Sequence, residues 1–206
     1  MFTGIVQATA TVSKIIDHSD RRDFVLLFPE HLTIDLTLGA SVAVEGACLT
    51  ITSISHHYVS FTLIKETLDK TTLGQLIVGD KVNIERAAKW GDEIGGHLVS
   101  GHIHDRAKII TIEASENNYI LSLRPPAKWL KYIFPKGYIA LAGVSLTVVN
   151  VNHQENYFTV HLIPETRNRT TLEHYPLKAE INFEIETSTQ IIVDTVNAYL
   201  EEKKPI

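Results

Sequence analysis

Few side chains in this sequence can attack a carbon centre or move a proton near neutral pH. The candidates are the single cysteine, Cys48, the serine Ser145, and ten histidines. A thiolate or an activated hydroxyl is a nucleophile, and an imidazole near its ordinary pKa works as general acid or base. His97, His102 and His104 form the one dense cluster, with the spacing H-x4-H-x-H. On a strand, His102 and His104 would share a face, as two metal ligands do. No cysteine or carboxylate completes a set at the usual spacing, and Glu93, the nearest carboxylate, falls in a linker. A polar linker running into a strand end is the more economical reading, and no metal is expected. Gly-x-Ser-x-Gly, a phosphate loop and a Gly-x-Gly-x-x-Gly after a strand are all missing from the sequence. Asn168-Arg169-Thr170 matches a glycosylation pattern by chance, given no secretory signal.

What positions these residues is a duplication. LIKETLDKTTL (Leu63–Leu73) and LIPETRNRTTL (Leu162–Leu172) agree at seven of eleven positions. Three more blocks follow in the same order. FTGIV (Phe2–Val6) lies over VSGHI (Val99–Ile103), GACLT (Gly46–Thr50) over GVSLT (Gly143–Thr147), and KVNIE (Lys81–Glu85) over EINFE (Glu180–Glu184). Four collinear matches make the chain two copies of a unit of about 97 residues, followed by a tail. Residues repeated in both copies, such as Gly4/Gly101, Gly46/Gly143, Leu49/Leu146 and Glu66/Glu165, are explained by folding alone. Thr50/Thr147 and the Glu-Thr pairs at 66–67 and 165–166 are expected at or near strand ends, where a repeated ligand pocket needs donors and acceptors. Positions that differ are more telling. Ile5 is answered by His102, and Cys48 by Ser145. Two similar pockets that treat two similar ligands differently are expected.

Each copy reads as mostly strand. FVLLF, SVAVE, YVSFTLI and KVNIE are rich in β-branched and aromatic residues, and Gly, Pro, Asp, Asn or His separates them. About six strands per unit, with two edges to protect, predict closure into a barrel. Pro126–Tyr132 predicts a short helix with Trp129, Leu130 and Ile133 on one side, and a turn of helix is expected after Glu66 and after Glu165. KWGDEIGGH (Lys89–His97) reads as the join, with Gly95-Gly96 as a flexible connector. The expected units are 1–97, 98–186 and a tail, 187–206. Thr187-Ser188-Thr189-Gln190 reads as a capping box with Thr187 at the N-cap. After it Ile191, Ile192, Val196, Tyr199 and Leu200 form one apolar stripe, with Lys203 and Lys204 at the helix C-terminus. That stripe is expected to be buried against another subunit.

Composition narrows the setting. Over 206 residues, 44% apolar and 21% charged are ordinary globular values, and the net charge of −5 gives no reason to expect nucleic acid or an acidic membrane as partner. One cysteine cannot form an internal bridge, which suits a reducing compartment. With no apolar run of membrane-spanning length and no basic-then-apolar N-terminus, a cytoplasmic protein is expected.

MFTGIV, GACLT, FTLIKET, GDEIGGHLVSGH, KGYIALAGVSLT and HLIPETRNRTTL together resemble the riboflavin synthase alpha-chain family, built on the lumazine-binding repeat. The resemblance runs in order through about residues 1–190. It implies an all-β fold of two tandem six-stranded Greek-key barrels with a C-terminal α-helix, assembled as a homotrimer through that helix. It implies a dismutation of two 6,7-dimethyl-8-ribityllumazine molecules to riboflavin and 5-amino-6-ribitylaminouracil, with no metal or redox cofactor. The family's site pairs one subunit's N-terminal barrel with a neighbour's C-terminal barrel. Some relatives dock inside a lumazine synthase shell, which makes lumazine synthase a further partner to test.

Carried over position by position, the resemblance puts substrate contacts of the first unit at Phe2, Gly4, Ile5 and Val6, at Ser41, and at Cys48, Leu49 and Thr50. The run Thr62, Leu63, Ile64, Lys65, Glu66 and Thr67 completes them. In the second unit they are His97, Gly101, His102 and Ile103, then Lys136, and Ser145, Leu146 and Thr147. Leu162, Ile163, Pro164, Glu165, Thr166 and Arg167 close that set. It makes His102, Ser145 and Thr147 the acid–base and hydrogen-bonding group of the second barrel, and Cys48 the nucleophile or polarising group of the first. Glu45-Gly46 and Ala142-Gly143 depart from the family's Asn-Gly and Asp-Gly, next to the expected pockets. A non-catalytic lumazine- or flavin-binding relative is the alternative reading, and a metal enzyme built on the histidine cluster a weaker one.

Overall fold

The structure, a computed structural model, describes residues 1–115 and 118–203; Lys204 lies outside them. Six strands build the first barrel: β1 Ala8–Asp17, β2 Arg21–Leu27, β3 Ser41–Val44, β4 Ala47–Ser55, β5 Tyr58–Ile64 and β6 Lys81–Arg86. Six more build the second: β7 Asp105–Ser115, β8 Asn118–Arg124, β9 Tyr138–Leu141, β10 Val144–Asn152, β11 Tyr157–Leu162 and β12 Glu180–Ile185. Both sheets close, in the orders β1-β2-β5-β4-β3-β6 and β10-β11-β8-β7-β12-β9, with every pairing antiparallel. Read round the ring from β7, the second order is the first shifted by six strands.

A small barrel must turn sharp corners, and bulges supply them. The register slips between Val12 and Lys14 and between Ile51 and Ser53, and the second copy repeats both slips at Ile109/Thr111 and Val148/Asn150. Alternation along the strands fills each interior. Phe24, Leu26, Ile51, Phe61 and Leu63 pack the first barrel, and Ile109, Leu121, Phe158 and Phe183 the second. Leu130 of a 3₁₀ turn, Ala127–Tyr132, and Ile133, which caps it, join the second core, so the expected short helix is present in tighter form. The two expected helical turns are α1 Lys65–Lys70 and α2 Pro164–Arg169.

The tail is the helix α3, Thr187–Glu202, but its N-cap is Glu186 rather than Thr187. The Glu186 carboxylate accepts from the N–H groups of Ser188 and Thr189 at 3.1 and 2.7 Å, so a charged acceptor one residue upstream displaces the threonine. One side of α3 docks on the second barrel, through Val193 and a 2.8 Å bond between Gln190 and His104. Ile191, Ile192, Val196, Tyr199 and Leu200 remain exposed.

The barrels meet around a pseudo-twofold axis. Asn83 on β6 donates to Ala142 O at 3.0 Å and accepts from Thr171 N at 2.8 Å. Asn182 on β12 donates to Glu45 O at 2.9 Å and accepts from Thr72 N at 2.7 Å. Glu45-Gly46 and Ala142-Gly143 are two-residue hairpin turns with positive φ throughout (48° and 81°, 47° and 82°), the type I′ pattern that favours Asn-Gly. Both turns face the other barrel, and a Cβ on Gly46 would lie 2.7 Å from Gly143 N.

Candidate active site

The chemistry-bearing residues are brought together by two leader segments, residues 1–6 and 97–103, that cross between the barrels. Phe2 and Val99 pair antiparallel, with Phe2 N donating to Val99 O at 2.8 Å and Val99 N to Phe2 O at 3.0 Å. Beyond this bridge each leader runs onto the barrel of the other copy. Val6 packs into the second barrel's core and Ile103 against the first's. Ser145 N donates to Gly4 O, and Cys48 N to Gly101 O, both at 2.8 Å. The approach requires glycine. A Cβ on Gly4 would sit 2.5 Å from Ser145 Cβ, and one on Gly101 2.5 Å from Cys48 Cβ, with φ of 74° and 83°.

The crossing corrects the grouping expected from sequence. His102 does not share a pocket with Ser145 but lies with Cys48, Glu66, Thr67 and Lys70 around a cavity of about 270 Å³ on the first barrel. The imidazole beside Ser145 is His97, whose Nδ1 is 2.7 Å from Ser145 Oγ. Burial holds the His97 pKa below the ordinary value against the opposing charge of Glu186, which keeps the ring neutral at pH 7. Its ring stacks on Tyr138, centroid to centroid 5.1 Å. A neutral imidazole bonded to a hydroxyl can take or relay a proton. Sequence alone placed His97 among the binding residues only; its position in the linker offered no sign of a partner 48 residues away.

The three histidines therefore part company. His104 is bonded to Gln190 and meets Trp129 edge-on, His102 joins Cys48, and His97 joins Ser145. Residues 101–104 are not a strand, which removes the shared face, and no metal-binding cluster exists among the described residues. Gly96 is also more than a flexible connector. A Cβ there would lie 2.3 Å from Thr3 O and 2.6 Å from Ser145 Cβ.

The other expected site residues divide by face. Thr50 and Thr147 are exposed on the outer faces of β4 and β10, beside half-buried Cys48 and Ser145. Ser41 pairs with Thr50, and Lys136, exposed, donates its N–H to Val148 O next to Thr147. Thr62, Ile64 and Lys65, like Ile163, Pro164 and Glu165, are exposed at the ends of β5 and β11, and Ile5 is exposed on its leader. Leu49, Leu63, Leu146, Leu162 and Val6 point into barrel cores, so only their backbone groups can meet a ligand. Phe2 is wholly buried among Ala43, Val99 and Ala140, with Cys48 packed against that cluster; it holds the leaders together from behind the Cys48 cavity and is not one of its lining residues. Glu66 is paired with Lys70 at 2.7 Å, Glu165 with Arg169, and Arg167 with Glu173, its guanidinium lying over the Tyr119 ring. Thr67 O and Thr166 O accept from the hydroxyls of Thr71 and Thr170. Both helical turns are thus locked locally.

Two carboxylates that the sequence reading passed over lie under the leaders, Glu85 and Glu184. Both close the repeated block KVNIE/EINFE, which was the available signal. Burial pushes the Glu85 carboxyl up, opposed by hydrogen bonds from Thr3 and Gly4. Glu45, expected beside the Cys48 pocket, instead sends its side chain between the barrels. There it accepts from Tyr175 OH at 2.6 Å, Asn83 N at 2.6 Å and Thr171 Oγ1 at 3.2 Å, none of which lines that pocket. Its repeat equivalent Ala142 has no side-chain acceptor to offer, and Thr72 Oγ1, the equivalent of Thr171 Oγ1, is buried without a partner among the described residues. A larger cleft of about 680 Å³ adjoins Glu45 and Tyr175, but it contains neither Cys48 nor Ser145 and receives no leader.

Comparison with known proteins agrees with this duplicated design. The lumazine binding domain family matches twice, over residues 3–87 and 100–186. Riboflavin synthase of Escherichia coli (strain K12) is 50% identical over 201 residues, covering 97% of this chain and 93% of that one. Riboflavin synthase of Chlamydia pneumoniae is 42% identical over 200 residues, 97% of each. Among solved structures, LumP complexed with riboflavin superposes with a TM-score of 0.84 at 25% identity, over 90% of this chain and all of that one. LumP complexed with 6,7-dimethyl-8-(1'-D-ribityl) lumazine gives 0.82 at 24%.

Proposed function

The chain belongs to the riboflavin synthase family, and from that premise we propose that it transfers a four-carbon unit between two 6,7-dimethyl-8-ribityllumazine molecules. The observation that carries this reading is the pair of leader-completed sites at Cys48 and Ser145, repeat-equivalent positions of the two barrels, with His102 beside the first and His97 bonded to the second. A reaction whose two substrates are the same molecule suits one binding unit used twice. The products, riboflavin and 5-amino-6-ribitylaminouracil, together contain the atoms of two lumazines, so no outside oxidant or reductant is required. The C7 methyl of a lumazine is acidic because its carbanion delocalises into the ring. The protein must then stack two rings and move protons, and orientation alone can lower such a barrier by several kcal/mol.

In this reading the second barrel holds the molecule that loses its methyl proton. His97 is neutral and bonded to Ser145 Oγ, which suits it to accept a proton through or beside that hydroxyl. Cys48 and His102 act at the other ring, the thiol as nucleophile or polarising group and the exposed imidazole as acid–base partner. Thr50 and Thr147 bond the two rings or their ribityl chains. The exposed stripe of α3 supports a homotrimer in which the N-terminal barrel of one subunit faces the C-terminal barrel of the next. Docking within a lumazine synthase shell is a further assembly to test. No helix among the described residues is long and apolar enough to cross a membrane, in keeping with a cytoplasmic enzyme.

Incubation with the lumazine alone tests the reading. Riboflavin should appear, followed by absorbance and fluorescence, with one uracil product formed per riboflavin. Tight binding of the lumazine without any riboflavin would instead assign the chain to the non-catalytic binders.

A further inference from the structure

Resting on that reading, we propose that Glu85 and Glu184 are positioning residues, each of which holds in its own barrel the leader that completes the other barrel's pocket. Their geometry is the same to within a few tenths of an ångström. Glu184 Oε1 accepts from Ser100 N and Ser100 Oγ, both at 2.7 Å, and Oε2 accepts from Gly101 N at 2.9 Å. Glu85 Oε1 accepts from Thr3 N at 2.7 Å and Thr3 Oγ1 at 2.8 Å, and Oε2 from Gly4 N at 3.1 Å. The hydroxyl in each trio passes the constraint forward. Ser100 Oγ accepts from His102 N at 3.1 Å, and Thr3 Oγ1 from Ile5 N at 3.3 Å. Glu184 is thus tied through one side chain to the backbone of His102, while Gly101 O is fixed on Cys48 N.

Both carboxylates are buried, 4% and 2% exposed, and neither is ion-paired among the described residues, although each is an expensive group to place in a protein interior. A neutral side chain could pack there at lower cost. What the carboxylate adds is two acceptor oxygens in one plane for three donors on a segment that has no other regular structure. Each barrel thereby sets the geometry of the opposite pocket, and the two half-sites of one chain are mechanically coupled.

A double-mutant cycle on the full-length protein tests this. In the wild-type background Glu184→Gln should lower kcat about tenfold with little change in KM, because a displaced acid–base group loses transition-state contact first. In a His102→Gln background the same substitution should cost less than about twofold, since the group it aims is gone. Glu85→Gln should stay additive with His102→Gln, because it serves the other leader. Ser100→Ala, which keeps the carboxylate and removes only the relaying hydroxyl, is the milder second variant and should be non-additive with His102→Gln in the same way. The His102 ring resonance in NMR should shift in the Glu184 and Ser100 variants and stay in place in Glu85→Gln. Additive losses for Glu184 and His102, or a His102 resonance that ignores Glu184, would overturn the proposal. Should the wild type make no riboflavin, the functional reading fails by itself, and the resonance still decides the positioning.

Discussion

His97 and His102 are five residues apart and answer to different barrels, which gives two imidazoles in one short linker separate duties. His102→Gln is expected to lower kcat by 10²–10⁴-fold, the usual worth of a general acid–base group, while riboflavin affinity changes little; unchanged turnover would remove His102 from the mechanism. Glu45 carries a different consequence. Burial raises its pKa from 4.5 to about 7, against hydrogen bonds from Tyr175, Asn83 and Thr171 that favour the carboxylate. A carboxyl whose folded-state pKa lies above its unfolded value stabilises most when protonated, so its contribution is complete below pH 4.5 and falls away as pH rises towards 7. The shift corresponds to a loss on the order of a few kcal/mol at the barrel–barrel contact across that window. Asp80 and Lys81 line the same cleft with His174, and burial first, then the charges of Glu45 and Asp80, keeps the Tyr175 hydroxyl protonated. Thermal melts at pH 5 and pH 8 should differ more for the wild type than for Glu45→Gln, which has no proton to lose. Equal pH dependence in the two proteins would mean that the carboxyl is not titrating in the fold.

Among the elements, α3 is the one with a face left over. Its inner side is tied to the second barrel by Gln190, Val193 and Asp194, whereas Ile192 and Val196 are 63% and 50% exposed. Ile192→Glu with Val196→Glu should therefore abolish self-association, and deletion of 187–206 should do the same, with the far-UV spectrum still that of a β protein. Activity should fall along with assembly if each site draws on two chains. A charged-stripe variant that sediments as a fully active oligomer would contradict this use of α3. The strands, both barrels, the two helical turns and α3 were legible in the sequence because each rests on local alternation, on turn residues or on the repeat itself. The α3 cap was misread by one residue because two good acceptors, Glu186 and Thr187, are adjacent, and the choice depends on the tertiary path into the helix. Cys48, His97, His102 and Ser145 are each singled out by the sequence, but the structure groups them differently. Repeat arithmetic places His102 beside Ser145, since both belong to the second copy, but it carries no information on which barrel a leader lies across. That is decided by Phe2 pairing with Val99 and by the absence of side chains at Gly4, Gly96 and Gly101.

For the whole molecule, leader exchange means that neither barrel is finished by its own copy. The strands of residues 1–97 are all within that segment, yet the pocket at Cys48 is closed by Gly101, His102 and Ile103, and Val6 is packed in the other barrel. Phe2 and Val99 are repeat equivalents, as are Gly4 and Gly101, so the bridge between the leaders is a contact of a position with its own equivalent. Such a contact can be made just as well by two identical fragments about a true twofold axis. Residues 1–97 alone should therefore fold and pair, each Gly4 lying on Cys48 of the other copy as Gly101 does in the intact chain. The pair should bind two molecules of riboflavin or the lumazine, through Thr50 and the segment Thr62–Thr67. It should make no riboflavin, because both pockets then present Cys48 with Ile5 where the intact chain has His102, and neither contains Ser145 or a buried His97. Sedimentation reads the pairing, quenching of flavin fluorescence reads the binding, and a time course with the lumazine reads the chemistry. Phe2→Asp should leave the fragment monomeric and weaken binding, since the buried bridge is what completes each pocket. A monomeric fragment that binds as tightly as the pair would show that the leaders are dispensable for recognition. A fragment that turns over near the rate of the intact chain would show that the unequal residues at equivalent positions do not divide the labour between the barrels.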